Sequence, residues 1–361
     1  MKITIIAGAR PNFMKIAPII RAINAAAKVG KNITYRLIYT GLKNDTDLDP
    51  SLFIDLDIAA PDAYLEIQSK NSIELAALIL MAFDKELTNN PADVVLVVDD
   101  LTPTMSCAIV AKKHGAKVAH LVAGTRSFDM DMPKEVNRMI TDGLADYLFT
   151  AGMIANRTLS QTGTDNKNIY YVGNILIDSI RYSRSKLIKP VWLSTLLPEK
   201  QEYILLTLNR RALLDNKKNL QNLISVICKS NLPIIAPLHP YVQDTLKKLQ
   251  IDTTNLHILP PQGYLSFGYL LNNAKAIITD SGNVAEEATF LGIPCITLNN
   301  YAEHPETYRM GTNELVGEDP EALDRAMQLL LNKQWKTGEM PERWDGRTAE
   351  RIIQILLDSE K

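Results

Sequence analysis

Side chains and backbone able to hold an anion recur at two places in this 361-residue chain. The first is Thr279-Asp280-Ser281-Gly282-Asn283, set between the apolar pair Ile277-Ile278 and a helical pattern carrying Val284, Ala285, Ala288 and Leu291, closed by Gly292 and Pro294. A short strand, a tight polar turn and a helix leave free N–H groups from about Ser281 to Val284 aimed over the turn, and the helix dipole favours phosphate there. Glu286 and Glu287, about one turn further in, offer carboxylates that can accept hydrogen bonds from sugar hydroxyls. The same residues also read as an ordinary Ser/Asp N-cap followed by two acidic residues. The second place is Gly8-Ala9-Arg10-Pro11, where Arg10 and, slightly further along, Lys15 put cations at a helix start. Cations oppose the dipole there unless an anion lies between them and the backbone; a solvated face is the alternative.

Positioning such turns takes alternating strands and helices. An apolar run Ile3–Ala7 feeds the first turn and a helix bearing Phe13, Ile16, Ala17, Ile20 and Ile23. Strands at 35–39, 94–98, 117–121, 147–149 and 170–172 follow, with helices at 72–87, 103–114, 133–145 and from 173 to about 187. Asn71 with Glu74 three residues on has capping-box spacing. Periodicity weakens between Lys189 and Pro198, where two prolines suggest a hinge. A second series follows: strands at 203–207, 233–236, 256–259, 277–279 and 295–298, with helices at 220–229, 242–249, 264–273, from 281 onward, and 320–331. The fold class is therefore α/β, with parallel sheets in two Rossmann-like domains of residues 1–188 and 199–345, and ligands at the strands' carboxyl ends. A last helix, about Thr348 to Leu357 within the stretch 346–361, could pack on either domain, including back on the first.

Composition excludes several classes. With 39 Lys and Arg against 41 Asp and Glu, and a pI near 6.3, there is no electrostatic case for nucleic acid or an anionic membrane as main partner. Cys107, Cys228 and Cys295 sit apart in apolar runs without metal-ligand spacing, so no metal is expected and a cytoplasmic location with reduced thiols is. No apolar run approaches a membrane span or a signal sequence.

In order along the chain, these turns resemble the non-hydrolysing UDP-N-acetylglucosamine 2-epimerase family, whose two facing Rossmann-like domains of the glycosyltransferase-B type hold the ligand in a cleft. The likeness covers nearly the whole chain: Gly8-Ala9-Arg10-Pro11 with Lys15, Ala17 and Pro18; Thr40-Gly41; Asp100; Ala123-Gly124 with Arg126; Pro133, Glu135, Asn137 and Arg138; Val172-Gly173-Asn174 with Ile177-Asp178. It continues through Arg210-Arg211, Pro237 and His239, Pro261-Gln262 with Tyr264-Leu265, Thr279-Asp280-Ser281-Gly282 with Glu286-Glu287, Pro305-Glu306, Gly311-Thr312 and Leu315-Val316-Gly317. The resemblance implies anti elimination of UDP to an unsaturated sugar and re-addition with the opposite configuration at carbon 2, interconverting UDP-N-acetylglucosamine and UDP-N-acetylmannosamine without a cofactor. It implies a UDP-sugar as partner, and a homodimer. It further implies that Arg10 and the Ser281-Gly282 amides hold the diphosphate and Glu287 the ribose hydroxyls, while Asn209, Arg210, His239 and His304 complete the UDP-sugar contacts. Lys15, Asp100, Glu135 and Arg138 would carry the chemistry at the sugar. The alternatives for Glu135 and Arg138 are helix-surface charges, and for Asp100 turn formation.

The chain departs from that pattern where protons should move. The family's Glu-Ala-Gly-Leu-Arg begins here with Val122, the His of its Gly-His-Arg turn is Asn209, and its His-Gly-Asp-Thr turn has become Val98-Asp99-Asp100-Leu101. The Gln-His after Thr-Gly is Leu42-Lys43, and the Arg of Glu-Arg-Pro-Glu is His304. Neither valine nor asparagine exchanges a proton near neutral pH. Three readings follow: an epimerase in which Asp100, Glu135, His239 or His304 moves the proton; a hydrolase or glycosyltransferase on the same scaffold; or a non-catalytic UDP-sugar binder.

Overall fold

The structure, a computed structural model, describes residues 1–46, 48, 50–198, 201–249 and 254–359. The chain divides into two compact units, one built from Met1–Tyr182 and the stretch from Glu342 onward, the other from Ser183–Pro341.

The first unit is a seven-stranded parallel sheet, made of β1 (Lys2–Ala7), β2 (Thr34–Tyr39), β3 (Ala63–Tyr64), β4 (Val94–Val98), β5 (Lys117–Leu121), β6 (Tyr147–Thr150) and β7 (Ile169–Tyr171) in the order β3-β2-β1-β4-β5-β6-β7. Its centre is β4, Val-Val-Leu-Val-Val, buried throughout. Such an uninterrupted apolar run is what a strand covered by helices on both faces requires. The sheet grows outward in both directions from the β1–β4 pair, so the chain reverses there, and the carboxyl ends of such a pair are where open α/β sheets take their ligands. The long helix Arg10–Lys28 continues from β1 despite Pro18, which has no N–H for the carbonyl of Met14; the Ser179 hydroxyl donates to that carbonyl instead.

The second unit repeats the plan with β8 (Ile204–Thr207), β9 (Ile234–Pro237), β10 (Leu256–Leu259), β11 (Ala276–Thr279), β12 (Cys295–Thr297) and β13 (Asn313–Leu315), all parallel, in the order β10-β9-β8-β11-β12-β13. Here the reversal lies between β8 and β11. Leucines and isoleucines from these strands and from the helices Lys217–Cys228 and Pro320–Leu331 form one core, and a second core covers the other face.

Several details differ from the sequence expectations. The stretch 189–198 contains the helix Val191–Leu196, whose Leu193, with Leu197, is buried in the second unit's core. Asn71 caps the helix Ser72–Asn89 by accepting from the amides of Ile73 and Glu74, but the reciprocal half of a capping box is absent, because Glu74 accepts from Ser69 Oγ instead. The helices Pro50–Leu56 and Met153–Gln161 and the strands β3 and β13 had no sequence signal strong enough to place them.

The segment after Glu342 is tied into the first unit by polar contacts. Asp178 caps the helix Thr348–Asp358 from outside, its two oxygens accepting from Thr348 N at 3.1 Å and Ala349 N at 2.8 Å. Burial pushes the Asp178 carboxyl up to about 6 even against those amides. Trp344 is buried and donates to the carbonyl of Ala151. Gly173 lies at φ +101°, and a Cβ there would stand 2.1 Å from the Arg343 carbonyl oxygen, so only glycine fits.

Candidate active site

In the second unit the turns after β8 and β11 meet at the reversal point. Asp280 Oδ2 accepts from the amides of Asn209 and Arg210, each at 2.7 Å, and so fixes the first turn against the second. Burial raises the Asp280 carboxyl, with those amides working against the shift. Thr279 Oγ1 accepts from Ser281 N at 2.9 Å and bonds Thr207 Oγ1 at 2.6 Å across the strand pair. Ser281 occupies the N-cap of the helix Gly282–Leu291 but makes no side-chain cap bond. The acidic side chain of the motif faces backwards onto residues 209 and 210, and the first-turn amides are left to whatever lies above them.

Around that helix start, Arg210 donates to the carbonyl of Leu298 at 3.0 Å and pairs with Glu318. Asn209 is exposed and accepts from the hydroxyl of Tyr241, whose ring stacks with exposed His239 at 5.9 Å between centroids. His304 is buried with Nε2 at 3.7 Å from Glu286 Oε1. Glu287 is half-buried by surface area, yet burial first and Glu286 second push its carboxyl up to about 8. The geometry thus gathers Asn209, Arg210, His239, Ser281, Gly282, Glu287 and His304 in one unit, on the turns and helix beside the β8–β11 reversal.

The first unit carries a different kind of centre, a continuous chain of charges at the ends of β1, β4 and β5. Asn12 Oδ1 accepts from the amides of Gly8 and Ala9, setting the turn in which Arg10 begins the helix, and Asn12 Nδ2 donates to Asp99 Oδ2 at 2.9 Å. Lys15 is buried and pairs with Asp99 Oδ1 at 2.6 Å. The Asp99 carbonyl and the Asp142 carboxylate lie at 2.8 and 2.6 Å from the two ring nitrogens of His120. Both partners are acceptors, so the imidazolium satisfies both. Burial opposes that charge, but Asp142 and Asp99 outweigh it and raise the His120 pKa.

From Asp142 the chain of charges runs outward. Asp142 accepts from Arg126 at 2.6 Å; burial would raise its carboxyl, and His120 and Arg126 together hold it low. Glu135 accepts from Ser127 N and Oγ at 2.8 and 2.9 Å and from Arg138 Nη1 at 3.1 Å. Arg138 Nη2 reaches Asp100 Oδ2 at 2.6 Å, and Lys134 stands 3.2 Å from Asp100 Oδ1. In both Asp100 and Glu135 burial pushes upward but is outweighed, by Lys134 and Arg138 for the first and by Ser127 and Arg138 for the second, so both carboxyls titrate below the usual range.

Four of the expected residues, Lys15, Asp100, Glu135 and Arg138, therefore lie in or against one buried network. The surface-charge reading of Glu135 and Arg138 is corrected, since they are 1% and 2% exposed. Asp99, His120 and Asp142 were not anticipated in these roles. A histidine in the otherwise apolar run Val118–Leu121 was the one available signal. Asp99 and Val122 hold left-handed backbone at φ +58° and +70°. For a β-branched valine that conformation is strained, and it is held by the Val122 and Ala123 amides both donating to the Phe149 carbonyl. Among the described residues no cluster of His, Cys, Asp and Glu has metal-binding geometry, and no helix is long and apolar enough to cross a membrane.

Two parallel-sheet α/β units, each with polar turns at its strand reversal, define a protein of the glycosyltransferase-B-like nucleotide-sugar class. The profile of the UDP-N-acetylglucosamine 2-epimerase family matches residues 25–357, and the chain belongs to that family. It is 35% identical to the UDP-N-acetylglucosamine 2-epimerase of Methanocaldococcus jannaschii, over 99% of each chain. It is 30% identical to the UDP-2,3-diacetamido-2,3-dideoxy-D-glucuronate 2-epimerase of Pseudomonas aeruginosa, again over 99% of each. A crystal structure of the Methanocaldococcus jannaschii enzyme in complex with UDP-N-acetylglucosamine and UDP superposes with a TM-score of 0.86 at 35% identity, covering 99% of both chains.

Proposed function

We propose that this protein interconverts UDP-N-acetylglucosamine and UDP-N-acetylmannosamine by eliminating UDP and adding it back with the opposite configuration at carbon 2. One observation carries the reading beyond family membership: Ser281 leaves the helix start uncapped while Asp280 locks the facing Asn209-Arg210 turn. That arrangement suits a diphosphate on the Gly282–Val284 amides, since the expected Ser281 amide is already taken by Thr279 Oγ1. Glu287 would accept from the ribose hydroxyls, and Arg210, Asn209, His239 and His304 would line the rest of the nucleotide sugar. Lys15, Asp100, Glu135 and Arg138 would face the sugar. Asp100 and Glu135, both held in the ionised form, suit the taking of a proton better than its delivery.

With UDP-N-acetylglucosamine in deuterium oxide, the carbon-2 hydrogen should exchange with solvent and the manno epimer should accumulate. Absence of both at high enzyme concentration would refute the assignment, and UDP release without epimer would point to a hydrolase.

The reading extends to a cytoplasmic homodimer. Its three cysteines, Cys107, Cys228 and Cys295, lie far apart in the sequence within apolar runs, as suits a reducing compartment. The helix Pro133–Leu144 turns its charged face inward and leaves Val136, Met139 and Ile140 exposed, near exposed Phe128 and Met130. An apolar surface of that kind favours a second copy of the chain as occupant. Light scattering of the wild type should give the dimer mass, and a monomer at micromolar concentration would remove this part of the proposal.

A further inference from the structure

Val122 stands where the family pattern carries a glutamate, yet the missing charge has a counterpart one strand away. In the β4–β5 ladder Val98 faces Leu121, so the next residues, Asp99 and Val122, leave the sheet side by side, with Asp99 N donating to the Leu121 carbonyl at 3.2 Å. Both take left-handed backbone. Position 99 is a glycine in the family turn, and glycine is the usual occupant of such a conformation; aspartate is one of the few other residues that adopt it readily. The substitution thus adds a carboxylate on β4 beside the point where β5 has lost one.

The placement of that carboxylate suits chemistry better than that of Asp100 or Glu135. Asp99 follows β4 at the β1–β4 reversal, where an open α/β sheet takes its ligand. Its oxygens are each held by one donor, Lys15 Nζ and Asn12 Nδ2, which leaves lone pairs on both. Its side chain is 18% exposed, against 9% for Asp100 and 1% for Glu135, whose oxygens are engaged by Arg138, Lys134 and Ser127.

We infer that Asp99 is the carboxylate that exchanges the carbon-2 proton of the sugar in this protein, taking over the work of the acid absent at Val122; the inference rests on the epimerase reading above. In the elimination step the carbon-2 hydrogen passes as a proton to an Asp99 oxygen. The electron pair of the broken C–H bond becomes the double bond between carbons 1 and 2, and the carbon-1–oxygen pair departs with UDP. Lys15 orients the carboxylate and keeps it from carrying an unbalanced charge into the site.

The test follows carbon-2 deuterium incorporation from UDP-N-acetylglucosamine in deuterium oxide, with kcat and KM measured separately and UDP affinity measured by calorimetry. Asp99→Asn preserves shape, and Asp99→Gly restores the family's own residue, which fits φ +58°. Each variant should lower kcat by about 10²- to 10⁴-fold, the usual effect of removing a general base, with KM and UDP affinity within about threefold. Returning the acid to its family position in Asp99→Gly/Val122→Glu should recover at least about tenfold of the lost kcat. Variants whose kcat stays within about threefold of wild type, a loss confined to KM, or a double variant no better than Asp99→Gly would each overturn the inference while leaving the epimerase reading intact. Wild-type protein without any exchange would overturn both.

Discussion

The two strand reversals are built on the same plan and solved in opposite ways. At β8–β11 the polar groups are sparse: one carboxylate fixes two amides, and the facing helix start is left uncapped. At β1–β4, Asp99, Asp100, Glu135 and Asp142 are matched by Lys15, His120, Lys134, Arg126 and Arg138 in a nearly closed lattice. On the proposed function the second reversal takes a diphosphate, a full charge that brings its own binding energy, so backbone dipoles at an open helix start would be enough for it. The proposed removal of a proton from carbon at the first reversal would demand groups of fixed position and protonation state, which surrounding charges supply.

The largest effect expected from this contrast is on stability. Replacing Arg138 by leucine leaves Glu135 and Asp100 buried without their shared partner, which should cost about 3–5 kcal/mol in a denaturant titration; a loss under about 1 kcal/mol would show that the lattice is not a structural keystone. A smaller effect belongs to the second unit. In its proposed role the Glu287 carboxyl, pushed up to about 8 in the free protein, holds ribose hydroxyls more strongly when ionised, so UDP should bind more tightly as pH rises towards 8, by at most about tenfold per pH unit, and flatten above it. Glu287→Gln should remove that dependence; an unchanged slope would take Glu287 out of the site. The same shift has a sign for folding: a carboxyl raised from 4.5 to about 8 stabilises the empty protein below 4.5, and that contribution is lost as pH rises through 8. The smallest effect is Ser281→Ala. Because the hydroxyl makes no cap bond, unfolding free energy should change by less than about 0.5 kcal/mol, whereas a working N-cap would lose about 1 kcal/mol.

The sparse site was far more legible in the sequence than the dense one. The proposed role of Thr279-Asp280-Ser281-Gly282 depends on backbone geometry, which is local, and so strand, turn and helix could be placed from the residues themselves. What local pattern could not show was that Asp280 would face residue 209 rather than cap its own helix. The lattice depends on pairs far apart in the chain, such as Lys15 with Asp99 and Arg138 with Asp100. The helix at Pro133 was placed correctly by its period, but its burial is inverted, with Glu135, Arg138 and Asp142 inside and Val136, Met139 and Ile140 outside. Periodicity reveals two faces without saying which one is wet. The unplaced strands β3 and β13 are two and three residues long, too short for any alternation to register.

The return of the segment after Glu342 to the first unit has a consequence for biogenesis. Asp178, the Ala151 carbonyl and the backbone gap at Gly173 are completed by Thr348, Ala349, Trp344 and Arg343, which leave the ribosome only after all of residues 183–341. The unit that starts first in translation is thus the one that finishes last, and the uninterrupted unit can consolidate while its neighbour still waits for its closing helix.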